Sequence, residues 1–282
     1  MPGTLFVVAT PIGNLEDVTA RALRILRDVA LIAAEDTRRT AHLLARYAIT
    51  TKTTSLHEHN EARKTPSLVA RLVAGDDIAL VSDAGTPLIS DPGRHLVRAA
   101  IDAGITIEPI PGPSAVMAAL SASGLNTDAF AFLGFPPIRA SARKDWFDRF
   151  RAIGGLVVFF EAPHRIKSTL DQLLHQIGDR PIVLCRELTK THEELVRGPI
   201  SVVLDRLCAP KGEFVVIVDV GQSTDTVPAK HLGDMDLYTE FGRITNSGHL
   251  SRRRAIAALA QKYGRAPNDI YEAVERGKKS AG

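Results

Sequence analysis

The densest group of reactive and ligand-facing residues lies in Val81-Ser-Asp-Ala-Gly-Thr-Pro-Leu-Ile-Ser-Asp-Pro-Gly93. It contains two Asp, two Ser, a Thr, two Gly and two Pro. Such a stretch turns tightly and leaves backbone N–H and C=O groups facing a ligand rather than each other. Asp83 is placed to accept from a ligand or to face a cation; an Asx-turn that only holds the loop is the alternative. Asp91, before Pro92-Gly93, reads as the N-cap of the following helix. Pro111-Gly-Pro-Ser-Ala115 sets a second helix start, whose free N–H groups suit a carboxylate. His57-Glu-His59 places two imidazoles on one side of an extended segment, as a metal site would, but no third ligand is spaced nearby; the other reading is a polar wall. Glu35-Asp36 with Arg38-Arg39 reads as a self-paired ion network.

These residues need strands and helices to position them. Leu5–Ala9, Leu31–Ala34, Ile78–Val81 and Ile105–Ile110 are apolar runs that predict parallel strands buried on both faces, with Thr53–Leu56 a shorter one. Helices are predicted at Val18–Val29, Thr40–Tyr47, Ser67–Ala74, Arg94–Ile101 and Ala115–Ser121. Alternating strands and helices imply an open α/β sheet, whose ligands sit at the carboxyl ends of the strands. A turn-rich joint at Ser123–Asp128 predicts a boundary, after which the pattern restarts. The second half shows strands at Ala129–Leu133, Leu156–Phe160, Pro181–Cys185 and Phe214–Val218, with an antiparallel edge at Glu194–Arg197. The expected organisation is an α/β domain over residues 1–123, another over 124–222, a linker over 223–240 and a basic helical unit, helix-turn-helix-like, over 241–282. Gly264 reads as the stop of one tail helix and Asn268 as the N-cap of the next.

Composition narrows the classes. The chain has 282 residues, 45% hydrophobic and 24% charged, with no apolar run long enough for a membrane helix and no basic n-region at its start. Cys185 and Cys208 make neither a disulfide framework nor a zinc pattern, which fits a reducing cytoplasm. GxGxxG after a strand, GxxxxGK[ST], GxSxG and HExxH are all missing, which argues against dinucleotide, P-loop and common hydrolase chemistry. From Thr226 onward ten Lys/Arg face six Asp/Glu, leaving +4, while the rest sums to −1. A basic appendage on a neutral body suggests an anionic partner, nucleic acid before membrane; a solvated basic helix is the alternative.

Several stretches carry a resemblance. Val8-Ala-Thr-Pro-Ile-Gly-Asn-Leu-Glu-Asp17, Ala34-Glu-Asp-Thr-Arg38, Ser82-Asp-Ala-Gly-Thr-Pro87 with Ile89-Ser-Asp-Pro-Gly93, and Pro111-Gly-Pro-Ser-Ala115 together resemble the tetrapyrrole-methylase superfamily. Phe160-Glu-Ala-Pro-His-Arg165, Arg186-Glu-Leu-Thr-Lys190 and Lys211-Gly-Glu-Phe-Val215 are similar to its branch that methylates ribosomal RNA. The likeness runs in order from residue 4 to about 219.

The resemblance implies two α/β domains with S-adenosylmethionine (SAM) in the cleft between them, no metal, and usually a homodimer. By motif, the SAM-binding residues are Pro11; Ser82, Asp83, Ala84, Gly85, Pro87 and Ile89; Pro111, Ser114 and Ala115; and, more loosely, Phe160 and Gly212. The tetrapyrrole enzymes read Gly-Asp-Pro in the central loop; here it is Gly85-Thr86-Pro87, with an Asp at position 83. The implied reaction is methylation of a cytidine ribose 2′-oxygen in the decoding region of bacterial small-subunit (16S) rRNA. Glu161 and Glu187 are then candidate bases and Lys190 a candidate stabiliser of the forming alkoxide, with a structural ion network of Arg186, Glu187 and Lys190 as the alternative. Arg252, Arg253, Arg254 and Lys262 would hold rRNA phosphates. Two other readings are a tetrapyrrole C-methyltransferase and a noncatalytic, SAM-containing ribosome-binding factor.

Overall fold

Short runs of Leu, Ile, Val and Ala form strands whose successive side chains enter opposite faces of a sheet. In the computed structural model, which describes residues 1–207, 210–221, 233–246, 251–263 and 266–280, five such strands open the chain. They are β1 (Thr4–Val8), β2 (Leu31–Ala34), β3 (Thr53–Ser55), β4 (Ile78–Val81) and β5 (Thr106–Ile110), in the order β3-β2-β4-β1-β5, every pairing parallel. The faces separate as the alternation requires. Phe6, Val8, Ile32 and Val81 join one cluster; Leu5, Ala33 and Leu80 join the other. The first is covered by α1 (Ala20–Asp28) and α2 (Thr37–Arg46), the second by α3 (Glu61–Val73) and α4 (Arg94–Asp102). Because β4, β1 and β5 are adjacent and parallel, the loops after them lie side by side at one edge, ahead of α5 (Ala115–Ser123).

The second sheet is built differently. Its strands are β6 (Phe130–Phe132), β7 (Leu156–Glu161), β8 (Pro181–Arg186), β9 (Glu194–Pro199) and β10 (Phe214–Asp219), in the order β6-β7-β10-β8-β9. Only β6 and β7 run parallel; β10 is antiparallel to both neighbours, and β9 forms the antiparallel edge. The register sets Phe214 opposite both Glu161 and Arg186. The ends of β7 and β8 therefore meet the start of β10, bringing three loops to one edge. Trp146, Phe147 and Phe150 of α6 (Ala140–Ile153) pack edge-on and tilted against each other and Phe159. With α7 (Ile166–Ile177) and α8 (Ile200–Arg206) they close this core.

Residues 1–222 form one compact unit and 223–282 another. The second contains α9 (Asp234–Asn246), α10 (Arg252–Tyr263) and α11 (Pro267–Ser280) around Leu237, Phe241, Leu259, Ile270 and Val274. Helix α9 replaces part of the expected linker, residues 234–240, because Leu237 and Phe241 present one apolar face to the other helices. The remaining linker residues 223–232, Cys208 and Gly264 lie outside the described residues. Pro267 occupies the first helical position of α11, so Asn268 lies within the helix rather than capping it.

Candidate functional site

The loop after β4 is shaped by its backbone. Thr10 and Gly85 exchange two N–H···O bonds of 2.9 Å, joining the loop after β1 to this one. Gly85 (φ +79°) and Gly93 (φ +121°) adopt positive φ, and so do Leu88 (φ +72°) and Ser90 (φ +68°). For the last two, that conformation costs about 1–2 kcal/mol each. The N–H groups of Ala84, Leu88 and Ser90 have no hydrogen-bond partner among the described residues. The Thr86 hydroxyl donates to the Pro113 carbonyl at 3.3 Å, tying in the loop after β5. There Ser114 caps α5, its oxygen accepting from Met117 N–H at 3.5 Å. Pro11, Ser82 and Pro87 are buried, whereas Ile89 is half exposed.

Carboxylates line this edge. Asp83 Oδ1 accepts from Asp36 N–H at 3.0 Å, and Glu35 Oε2 accepts from Asp83 N–H at 3.2 Å. Arg39 stands 3.4 Å from Asp83. Asp36 caps α2 and pairs with Arg38 at 2.7 Å; the arginine's hydrogen bonds hold its carboxyl well below the usual range. Burial raises Glu35 and Asp83, despite the backbone N–H groups they accept from. Burial also pushes Asp91 up to about 6, with Glu35 and Asp83 adding to the shift. Asp91 does not cap α4. That helix begins after Gly93, and Glu61 reaches across from α3 to accept from His95 and Leu96 N–H at 2.6 and 3.2 Å. The His57 and His59 rings meet edge-on, 6.0 Å between centroids; among the described residues no group of three metal-ligating side chains forms.

The second sheet supplies charged loops. Glu161 closes β7. Its side chain is wholly buried, and its oxygens accept from Ala162 N–H, Arg165 and the Thr169 hydroxyl at 2.5–2.8 Å. A carboxylate so enclosed and paired anchors the first turn of α7 and has no face for a substrate proton. Glu187 (φ +49°) and Thr189 (φ +66°) hold the loop after β8 in a tight turn. Glu187 Oε1 accepts from Lys190 Nζ at 2.9 Å and Glu213 N–H at 2.8 Å; Lys190 Nζ also reaches Glu213 Oε2 at 2.9 Å. Burial would raise Glu187, but these donors outweigh it and leave it lowered; for Lys190, burial is outweighed by the bonds to Glu213 and Glu187, which raise it. Gly212 serves this turn, since a Cβ there would fall 2.5 Å from the Glu187 carboxyl carbon. Gly13 serves it from the first sheet: its Cβ would fall 2.5 Å from Lys190 Cγ. Asn14 N–H donates to the Thr189 hydroxyl at 3.0 Å.

The motif residues of the two sheets thus meet through Gly85–Thr10, then Gly13–Asn14, then Thr189–Lys190. Sequence reasoning passed over Gly13, Thr189 and Glu213, although all three lay inside quoted motifs. Between the loops, Ile12, Val116, Leu188 and Val215 form one apolar cluster against which Phe160 packs. Phe132 and Phe135 flank Phe160 at 4.9 and 5.3 Å. Unpaired N–H groups on a fixed turn, beside an apolar floor, suit a ligand with a carboxylate and an aromatic base, as SAM has. In the tail, Arg252 pairs with Glu275 at 3.2 Å and lies over the Phe241 ring, while Arg253 and Arg254 are exposed with no partner among the described residues. The Lys262 side chain lies outside what the structure describes.

Residues 4–203 match the family described as tetrapyrrole (corrin/porphyrin) methylases. The chain is 43% identical over 277 residues to ribosomal RNA small subunit methyltransferase I of Vibrio cholerae, covering 95% of this chain and 93% of that one. It is 49% identical over 219 residues to the protein of that name from Halalkalibacterium halodurans, covering 77% and 76%. Among solved structures, the native uroporphyrin III C-methyl transferase of Thermus thermophilus aligns with a TM-score of 0.57 at 17% identity, covering 77% of this chain and 97% of that one. A diphthine synthase aligns at 0.63 and 16%, covering 77% and 89%. Those two likenesses speak to the fold. With the family matched over most of its length, the chain belongs to the tetrapyrrole methylases.

Proposed function

We propose that this chain methylates the 2′-oxygen of a cytidine ribose in the decoding region of bacterial small-subunit (16S) rRNA, with SAM as donor. The observation that carries the reading is the near full-length identity to proteins named ribosomal RNA small subunit methyltransferase I. It is supported by the meeting of their shared motifs at one edge. SAM, when bound, supplies an electrophilic methyl group on sulfur. Of the motif residues, Ser82, Asp83, Ala84, Gly85, Pro87, Ile89, Pro111, Ser114 and Ala115 would hold it, together with Pro11 and Phe160. Gly212, carried over more loosely, would join them while also shaping the Glu187 turn.

The chain's own contribution is position and charge. Fixed backbone at Gly85–Ser90 orients the donor without reorganising, which is where most of the advantage in a displacement reaction arises. Lys190, held cationic by two carboxylates, stabilises negative charge growing on the ribose oxygen. Arg253 and Arg254 hold rRNA phosphates. Replacing both by Ala should make the log–log salt dependence of subunit binding shallower by about 1.4, and an unchanged slope would place the phosphates elsewhere. The protein works in the cytoplasm as a homodimer, which cell fractionation and light scattering check. Assembled shape should matter, because one 2′-hydroxyl carries little identity.

The test is transfer of labelled methyl from SAM to undermethylated small subunits, protein-free rRNA and a tetrapyrrole precursor in parallel. Label on a cytidine ribose is the expected result. Label on the tetrapyrrole alone, or none with SAM bound, would refute the reading.

A further inference from the structure

We infer that Glu213 is the group that takes the proton from the attacking ribose hydroxyl. The inference rests on the proposed methylation and adds the base that the motifs left open. Five carboxylates stand near this edge of the second sheet: Glu193 accepts from Thr189 N–H at 2.5 Å and Glu194 stands 3.4 Å from Arg186, and the structure separates the other three. Glu161 has a wholly buried side chain whose oxygens are occupied by four donors. Glu187 is 22% exposed, and one of its oxygens accepts two N–H bonds while Gly212 packs against its carboxyl carbon. Both are built into the scaffold. Glu213 is 68% exposed and, among the described residues, makes one side-chain contact, Oε2 to Lys190 Nζ at 2.9 Å, with no partner there for Oε1.

Its neighbours suit the task. Glu213 begins where Gly212 has placed the chain, and its own N–H is fixed on Glu187. Its backbone carbonyl accepts Glu187 N–H at 3.0 Å. A solvent-facing carboxylate is thus carried on a backbone bonded in two places. Lys190 ties it to the loop after β8, which Gly13 and Asn14 reach from the loop after β1, whose Thr10 pairs with Gly85. As the ribose oxygen forms its bond to the methyl carbon, the carbon–sulfur pair stays with sulfur and the hydroxyl proton passes to Glu213 Oε1. Lys190, bonded to the other oxygen, keeps its own protons and balances the charge on the reacting oxygen. A cation and a base on one pivot explain why Lys190 is shared between two carboxylates rather than paired with one.

The experiment compares wild-type protein with Glu213→Gln, Glu213→Asp and Glu187→Gln on undermethylated subunits, with SAM and subunit affinity measured separately by calorimetry and filter binding. Glu213→Gln keeps an oxygen for Lys190 but cannot accept the proton. Its kcat should fall about 100-fold with both affinities within about twofold, and Asp should recover part of the loss. A Glu213→Gln kcat within about threefold of wild type would overturn the inference. So would a matching loss of SAM affinity, or a larger kcat loss in Glu187→Gln with affinities intact. Wild-type protein that transfers no methyl to subunits would instead overturn the underlying substrate reading, and this role with it.

Discussion

The loop after β4 and the loop after β8 occupy equivalent places, each at the carboxyl end of a strand, yet they are held by different physics. The first is fixed by its backbone, through the Thr10–Gly85 pair and four positive-φ residues. Its carboxylates are left half buried and raised. The second also bends through positive φ, at Glu187 and Thr189, but its side chains are pinned by charge, Lys190 to Glu187 and Glu213, as Glu161 is to Arg165 in the neighbouring loop after β7. A backbone-held loop offers N–H groups to a ligand; a charge-held loop offers a cation and carboxylates to a reaction. Binding and chemistry are thereby divided between the two sheets.

Substitutions test that division. The largest effect is expected at Glu161→Ala, which strands the Arg165 guanidinium without its counter-charge. It should cost about 3–5 kcal/mol in urea unfolding. A loss below about 1 kcal/mol would mean that charge does not hold the second edge. Lys190→Ala should lower turnover about 100-fold while SAM affinity stays within about twofold. Equal losses in both would merge the two roles that the comparison separates.

The first loop should respond to pH instead. Asp91 is raised from 3.8 to about 6, so the native state keeps a proton that the unfolded chain has released. The stability this contributes is complete below the unfolded value and is lost as pH rises through 6. Relative to wild type, Asp91→Asn should therefore gain about 1–2 kcal/mol between pH 4 and pH 8. An equal difference at both pH values would show a solvated carboxylate. The smallest effect is expected at Ser90→Gly. Relief of positive φ at an exposed position, offset by the entropy of glycine, should stabilise by about 0.5–1 kcal/mol. A destabilised variant would show that the Ser90 side chain, rather than the turn, holds the loop.

What was legible in the sequence follows the same line. The first sheet could be read because each of its strands is a local apolar run and its loops carry Gly and Pro. Residues whose state depends on distant partners could not. Glu161 looked like a base because nothing local announces that Thr169 and Arg165 enclose it. Asp91 looked like a cap because Glu61, thirty positions earlier, does the capping. The direction of β10 was hidden as well: an apolar run reads the same in either orientation, and its antiparallel neighbours declare themselves only on pairing. The first half of helix α9, residues 234–240, was missed although Leu237, Phe241 and Ile244 recur at helical spacing, since Gly233, Asp234 and Asp236 and the polar residues before them imitate a linker.

The central place of β10 also sets a timetable for synthesis. The first sheet has all its strands once Ile110 has been made. In the second, β7 and β8 have no partner between them until Phe214 to Asp219 arrive. At typical elongation rates the wait from Glu161 to Phe214 lasts roughly 3–10 s. Throughout it two apolar strands present unpaired edges, the state most open to mispairing with other chains. The nascent second half is therefore the part of this chain with most to gain from a chaperone, and the closing strand, once delivered, seals both edges in one step.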